Sequence, residues 1–332
     1  MRAWILSQPA SIEHQPLTLI PKPTPHPRTG QVLLRVRVCG VCHTDLHIAE
    51  GELIPPHYPI TPGHQVVAEV IALGEGVTHL KPGQRVGVPW LHWACGACDF
   101  CRRGEENLCP NARFTGFHVD GGFAETMLAE ANYVLPLPDS LSDAAAAPRL
   151  CAGIIGYRSL RKAEVQPGER LGLFGFGASA HLVIQVARYW NCEVFVFTRS
   201  EAHRQHALEL GAAWVGRAED TPPEPLDRAI TFAPAGEIVL HALEKLRPGG
   251  TLAINAVHLS PIPRMDYRLI YGERTLRSVA NATYQDGVEF LQLAEQIPIR
   301  PTVTLYPFEA LHQALTDLKH SRLNGEAVLQ VA

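Results

Sequence analysis

The chain has 332 residues, 46% of them hydrophobic and 19% charged, with a formal net charge of −4. That is material for two globular domains. The small acidic balance, with no basic block, speaks against nucleic acid or an anionic membrane as partner. No apolar run nears the roughly 20 residues that a membrane span needs. Met1–Leu6 lacks a secretory apolar segment with a cleavage site, so a cytoplasmic location is the expectation. In a reducing cytosol, the eight cysteines (39, 42, 95, 98, 101, 109, 151 and 192) read as metal or catalytic groups before disulfides.

From the N-terminus the chain reads as β-rich. Trp4-Ile5-Leu6 is apolar and extended, and Pro21–Pro27 is an extended link that cannot be helical. Val32–Val38 has strand composition and runs into Cys39-Gly40. It delivers Val41-Cys42-His43-Thr44-Asp45-Leu46-His47, which sets a thiol, two imidazoles, a hydroxyl and a carboxylate within seven residues. A soft metal ligand thus stands beside groups that can move a proton. Pro62-Gly63 precedes His64. Gln65–Leu73 and Arg85–Val88 follow as strands, with turns at Gly74-Glu75-Gly76 and Lys81-Pro82-Gly83. Many short strands punctuated by Gly and Pro suggest a compact, partly closed β domain.

Cys95, Cys98, Cys101 and Cys109 stand at C-x2-C-x2-C-x7-C spacing. Short spacers let successive thiolates face one centre, and zinc takes four sulfurs tetrahedrally at about 2.3 Å, leaving no open position. The spacing therefore predicts a structural zinc. Four thiols in a loop, an iron–sulfur cluster and a nucleic-acid-binding zinc ribbon are the alternatives, the last with only Arg102-Arg103 as a basic cluster.

Near residue 150 the composition turns from β-rich to α/β. Asp143–Ala147 opens a helix, and Leu171–Phe174 is an apolar strand. Gly175-Phe176-Gly177-Ala178-Ser179-Ala180 follows, then a helical pattern over His181–Trp190. Strand, Gly-rich turn and helix suit a dinucleotide: glycines admit the pyrophosphate, and a helix N-terminus favours its charge. Strands at Glu193–Phe197, Arg228–Phe232 and Thr251–Ile254, with a helix over Glu237–Leu246, imply a parallel sheet. An NAD site usually carries Asp or Glu after its second strand. This chain has Thr198-Arg199-Ser200, with Arg204 nearby, which leans towards the 2′-phosphate of NADP over NAD. Solvated surface arginines are the alternative. A helix over Gln285–Ala294, a strand over Thr302–Tyr306, a helix over Glu309–Lys319 and a strand over Ala327–Val331 complete the chain.

Taken together, Cys39–His47, Pro62-Gly63-His64, the Cys95–Cys109 lobe, Asp120–Glu125 and Leu150-Cys151-Ala152-Gly153 resemble the zinc-dependent alcohol dehydrogenases of the medium-chain dehydrogenase/reductase superfamily, along nearly the whole chain. The resemblance implies an α/β protein. Its GroES-like β-rich catalytic domain would span 1–152 and 297–332, with the zinc lobe at 95–109. A Rossmann doubly wound parallel-sheet cofactor domain would span 153–296. Two zinc ions per chain, NAD or NADP, an alcohol or aldehyde substrate and a homo-oligomer, dimer or tetramer, are implied with it.

By the same resemblance, Cys42, His64 and Cys151 hold the catalytic zinc. Two thiolates and an imidazole leave one position open. Asp45 would orient His64. Zinc would acidify a bound alcohol, Thr44 would accept the proton, and His47 would pass it from the cofactor ribose to solvent. His43 would lie near the cofactor phosphates and Trp90 would line the substrate pocket. Cys39 and Cys192 read as buried structural thiols. Three positions depart from the family: Gln65 stands for the usual Glu, Ile155 for Thr, and Glu326 for an Arg that contacts the cofactor phosphates. Other readings are a zinc-independent-type quinone or alkene reductase, against which the three ligands argue, and a non-catalytic zinc-stabilised nucleotide-binding protein.

Overall fold

The strand Gln31–Val41 is the spine of the first of two units. Val32, Leu34, Val36 and Cys39 are buried, and the strand pairs antiparallel with three neighbours: Glu326–Gln330, Gln65–Leu73 and Thr126–Glu130. The sheet has seven strands and continues through Arg85–Val88 to Leu135–Pro136 on one side and through Val303–Pro307 on the other. Its core is β-branched and aromatic, with Phe123, Leu6, Ile48 and Ile60 fully buried, as expected where strands pack a face against helices. The computed structural model describes all 332 residues. They divide into one unit of 1–151, 281–291 and 302–332 and another of 152–280 and 292–301. This division differs from the expected bounds at residue 152 and at 281–291 and 297–301, and the helix Tyr284–Gln296 is divided between the two.

In the second unit six strands run parallel in spatial order Trp214–Gly216, Glu193–Phe197, Arg170–Phe174, Leu226–Thr231, Leu246–Ile254 and Thr275–Ser278. Numbered along the chain this is the order 3-2-1-4-5-6 of the doubly wound dinucleotide fold. Phe174, Phe195 and Phe197 fill its core, the first and last with rings stacked 4.1 Å apart. Gly156 lets the helix Ala152–Lys162 lie close on Ala178–Tyr189: an added Cβ would meet Val183 at 2.6 Å. No helix of the chain is long and apolar enough to cross a membrane.

Two local expectations change. Cys42–His47 is not only a strand end, because His43–Glu50 is a helix capped by Cys42. The short polar run gives no apolar periodicity, so the helix was hidden. The nucleotide-turn helix begins at Ala178, three residues before His181. Ala178, Ser179 and Ala180 are therefore its first turn, and small residues had disguised it as loop.

The approach to His64 is held by backbone packing. Gly63 sits at φ +98°, and a Cβ there would lie 2.7 Å from the Phe123 nitrogen. Cβ atoms at Gly121 and Gly116 would strike Gly63 at 2.1 and 2.9 Å. Gly63→Ala is expected to store about 1–3 kcal/mol of strain and to shift His64. Urea unfolding should show a lower midpoint, and metal analysis should show zinc lost from the His64 site but kept in the cysteine lobe.

Candidate active site and metal centres

Two donor clusters form in the first unit. In the lobe, Cys95, Cys98, Cys101 and Cys109 bring their sulfurs within 4.8 Å of one another. Cys98 and Cys101 are 3.5 Å apart, and Cys95 and Cys101 are 3.9 Å apart. A tetrahedron with Zn–S of about 2.3 Å has edges of about 3.8 Å, so the cluster fits a single closed zinc. A bulkier iron–sulfur cluster would spread its thiolates further. Backbone N–H groups of Ala97 and Cys98 hold the Cys95 thiol down to about 6, while desolvation pushes Cys101 up to about 12. The sulfurs thus sit where charge is unevenly supported until a cation balances it.

The second cluster is Cys42, His64 and Cys151, again with donor atoms within 4.8 Å. Cys42 comes from the helix cap after the central strand, His64 from the turn before Gln65–Leu73, and Cys151 from just after the short helical turn Ala147–Leu150. Asp45, on the first turn of the Cys42-capped helix, ties the parts together. Its Oδ2 accepts from the Cys42 backbone N at 2.9 Å. Its Oδ1 accepts from Gly63 N at 3.0 Å and faces His64 Nδ1 at 3.1 Å. With Nδ1 so engaged, Nε2 is the nitrogen left for a metal. Two sulfurs, one nitrogen and no fourth protein donor in the cluster fit a zinc that keeps a position open.

The electrostatics of the metal-free cluster are lopsided. A hydrogen bond from Cys151 holds the Cys42 thiol well below its usual range, and the same bond, with burial, lifts Cys151 well above it. Burial opposes a charge on His64, but Asp45 and then Cys42 outweigh it and raise the imidazole to about 10.

The surrounding residues fall as follows. The Cys42 thiol points to Thr44 Oγ1 at 3.8 Å. His47, one turn on, pairs through Nδ1 with Glu52, and its ring is 6.4 Å from that of exposed His43. Trp90 meets the His64 ring edge-on at 4.9 Å, stacks on Phe114 at 5.1 Å and neighbours Phe117 at 6.0 Å. Its indole Nε1 donates to Asn281 at 3.0 Å. Phe114, Phe117 and Asn281 were missed in the sequence; the nearby Phe114-Thr115-Gly116-Phe117 pair of aromatics was the available signal. Cys39 and Cys192 are fully buried. Glu326, which stands where relatives carry a phosphate-contacting Arg, is 2% exposed and lies beside Gly40 and Gln65.

In the second unit Gly175 has φ +93°, and its N–H bonds Phe197. Beyond Phe176, a Cβ on Gly177 would meet nothing within 4 Å. That open space faces the helix start at Ala178, whose unpaired N–H groups suit a pyrophosphate. Arg199 is exposed. Arg204 is engaged by Glu201 and by the Thr198 carbonyl at 3.1 Å.

A doubly wound nucleotide fold joined in one chain to a β domain with an open two-sulfur, one-nitrogen site and a closed four-sulfur site defines a zinc-binding dehydrogenase. A family model described as "Alcohol dehydrogenase GroES-like domain" matches residues 28–139, and one described as "Zinc-binding dehydrogenase" matches residues 180–296. AdhA of Mycobacterium tuberculosis, named "Probable alcohol dehydrogenase", is 46% identical over 100% of this chain and 97% of its own. A cinnamyl alcohol dehydrogenase structure from Sorghum bicolor superposes with TM-score 0.91 at 27% identity, covering 99% of this chain and 97% of that one. A Helicobacter pylori structure titled as CAD complexed with NADP(H) gives 0.88 at 25%, covering 100% and 99%. The chain belongs to the zinc-dependent alcohol dehydrogenases of the medium-chain dehydrogenase/reductase superfamily. It is an oxidoreductase acting on CH–OH groups with zinc and NAD(P).

Two predictions follow from the clusters. Cys98→Ala removes one corner of the closed site, and a structural zinc contributes directly to folding. It should lower the thermal midpoint by at least about 5 °C and the zinc content by one ion, while the remaining folded fraction keeps its turnover. In the metal-free cluster the His64 imidazole is raised to about 10, and the Cys151 thiol is pushed up by its bond to Cys42 and by burial. Zinc needs neutral imidazole and thiolate, so loading at this site releases protons. Apparent zinc affinity at this site should therefore rise with pH. Chelator competition across pH, with the lobe kept loaded, checks the slope.

Proposed function

We propose that the chain interconverts primary alcohols and aldehydes bearing an aromatic or flat apolar group, with NADP as preferred nucleotide, at a metal held by Cys42, His64 and Cys151. The observation that carries this reading is the aromatic wall of Trp90, Phe114 and Phe117 built against an open three-donor site. The lobe cysteines 95, 98, 101 and 109 would hold the structural ion.

Bound there, zinc supplies a Lewis acid that makes an alcohol hydroxyl more acidic, and the nicotinamide supplies the hydride acceptor. The chain's residues do the remainder. Thr44, buried beside Cys42, accepts the hydroxyl proton at Oγ1. His47, held by Glu52 and partly open to solvent, carries the proton away. Asp45 fixes the His64 tautomer. Trp90, braced by Asn281, stacks on the substrate's flat face and excludes water.

Nucleotide recognition would use Gly175–Ala180 for the pyrophosphate, with His43 in the cofactor-binding set that the family resemblance implies. The absence of a carboxylate at Thr198-Arg199-Ser200 supports NADP, with exposed Arg199 on the 2′-phosphate. Arg204, bound to the Thr198 carbonyl, would hold that turn in shape and act on the phosphate only indirectly. A homo-oligomer, dimer or tetramer, in the cytoplasm completes the reading; eight free cysteines support a reducing compartment.

Initial rates with NAD and NADP against aliphatic and aromatic alcohols and aldehydes test it directly. Aromatic substrates with NADP should give the highest kcat/KM, and a preference for short aliphatic alcohols with NAD would contradict the reading. Cys151→Ala should cut turnover to below about one thousandth while circular dichroism and lobe zinc stay unchanged. Near-normal turnover would remove Cys151 from the site.

A further inference from the structure

Beside the open metal site lies a polar pair that nothing above employs. Glu326 is 2% exposed, and neither carboxylate oxygen has a hydrogen-bond partner. Gln65 is fully buried, and its amide oxygen and nitrogen are unpartnered as well. Buried polar groups are nearly always bonded, and a buried carboxylate costs several kcal/mol unless something compensates it. Four such atoms in one spot are not a packing accident.

The sheet register explains the meeting. Gly40 on the central strand pairs with Gln65 on one side and Val328 on the other. Residues two apart on a strand share a face, so Glu326 leans to the same face as Gly40 and Gln65. A Cβ on Gly40 would lie 2.9 Å from Glu326 Oε1 and 3.0 Å from the Gln65 amide carbon. The missing side chain at Gly40 is thus the space that the carboxylate and the amide share.

That space adjoins the donors. Ala327 pairs with Val41, so one step further along the antiparallel ladder sets Glu326 across from Cys42. Gln65 follows His64 directly. Opposite residues on paired strands keep their Cβ atoms about 4.5–5.5 Å apart. Two thiolates and a neutral imidazole leave a divalent cation formally neutral, so a carboxylate would take the fourth position only in place of another ligand, as a weak and exchangeable donor.

We propose that Glu326 is part of the catalytic metal centre: an oxygen donor held in reserve beneath the site, which reaches the divalent cation whenever its exchangeable position is vacated. The inference rests on the assignment of Cys42, His64 and Cys151 as ligands. Gln65 is a neutral neighbour that offers the carboxylate an amide contact but no opposing charge. An Arg or Lys at position 65 would have captured it.

The test measures metal, independently of turnover. Zinc-loaded protein is mixed with an excess chelator and zinc release is followed, with the four-cysteine lobe as internal reference. Glu326→Gln should release the catalytic-site zinc at least tenfold faster, with the lobe rate unchanged. The double variant Gln65→Glu, Glu326→Gln moves the carboxylate to the other flank of the central strand and should restore release to within about threefold of the parent. In cobalt-substituted protein the visible bands of the open site should shift in Glu326→Gln when exogenous ligand is absent, and coincide with the parent when an inhibitor fills the position. Release within twofold of the parent in a Glu326→Gln protein that keeps its lobe zinc would overturn the proposal. So would slower release. If Glu326→Gln does not fold, Glu326→Asp serves, its shorter reach predicting intermediate release. Cys151→Ala separates the two readings: if that variant keeps its zinc, the ligand assignment fails, whatever Glu326 does.

Discussion

The chemistry of the first unit hangs on one buried carboxylate. Asp45 reaches the Cys42 backbone, the Gly63 backbone and the His64 ring at once. These lie on three stretches that the chain brings together only through the central sheet. Each such bond to a charged acceptor contributes about 1.5–3 kcal/mol, and all are shielded from water. Fixing both the helix cap that bears Cys42 and the turn that bears His64 to one group sets the separation of sulfur and nitrogen before any metal arrives. Cys151 then needs only to approach from the third side. Pre-set donors lower the ordering cost of binding, which is how a site can stay open at one corner and still hold its ion.

The glycine packing around Gly63 serves the same end from below. Gly63, Gly116 and Gly121 bring backbone against backbone where any Cβ would collide. His64 is thereby anchored through peptide groups, which move less than side chains. The aromatic wall of Trp90, Phe114 and Phe117 packs on the neighbouring side, with Trp90 edge-on to the His64 ring. Rigidity on one side and exclusion of water on the other are what a Lewis-acid site needs to act on a weakly acidic alcohol.

Much of this was legible in the sequence, for identifiable reasons. Cys95 to Cys109 are local, so spacing alone predicts their convergence, and the sulfur distances agree with a single ion. The parallel sheet was legible because apolar strands and Gly-rich turns alternate at regular spacing. Cys42, His64 and Cys151 lie far apart along the chain; composition could not join them, and only the resemblance did. What stayed hidden depends on register. Nothing in the sequence says that Gly40 leaves a gap which Glu326 and Gln65 fill from opposite strands. The same holds for Trp90 and Asn281, bonded across 191 positions of chain. The short helix after Cys42 escaped because capping by Asp45, not apolar periodicity, makes it. The burial of Glu326 was likewise not legible, because a charged residue near the C-terminus gives no sign of which face of the sheet it takes.

Two donor clusters in one chain, one closed by four sulfurs and one left open by two sulfurs and a nitrogen, call for two unlike metal centres. Zinc analysis joined to X-ray absorption on the purified protein tests it most directly. Two ions per chain are expected, with an averaged first shell of three sulfurs and one lighter atom. A single zinc per chain, with a pure four-sulfur shell, would contradict it.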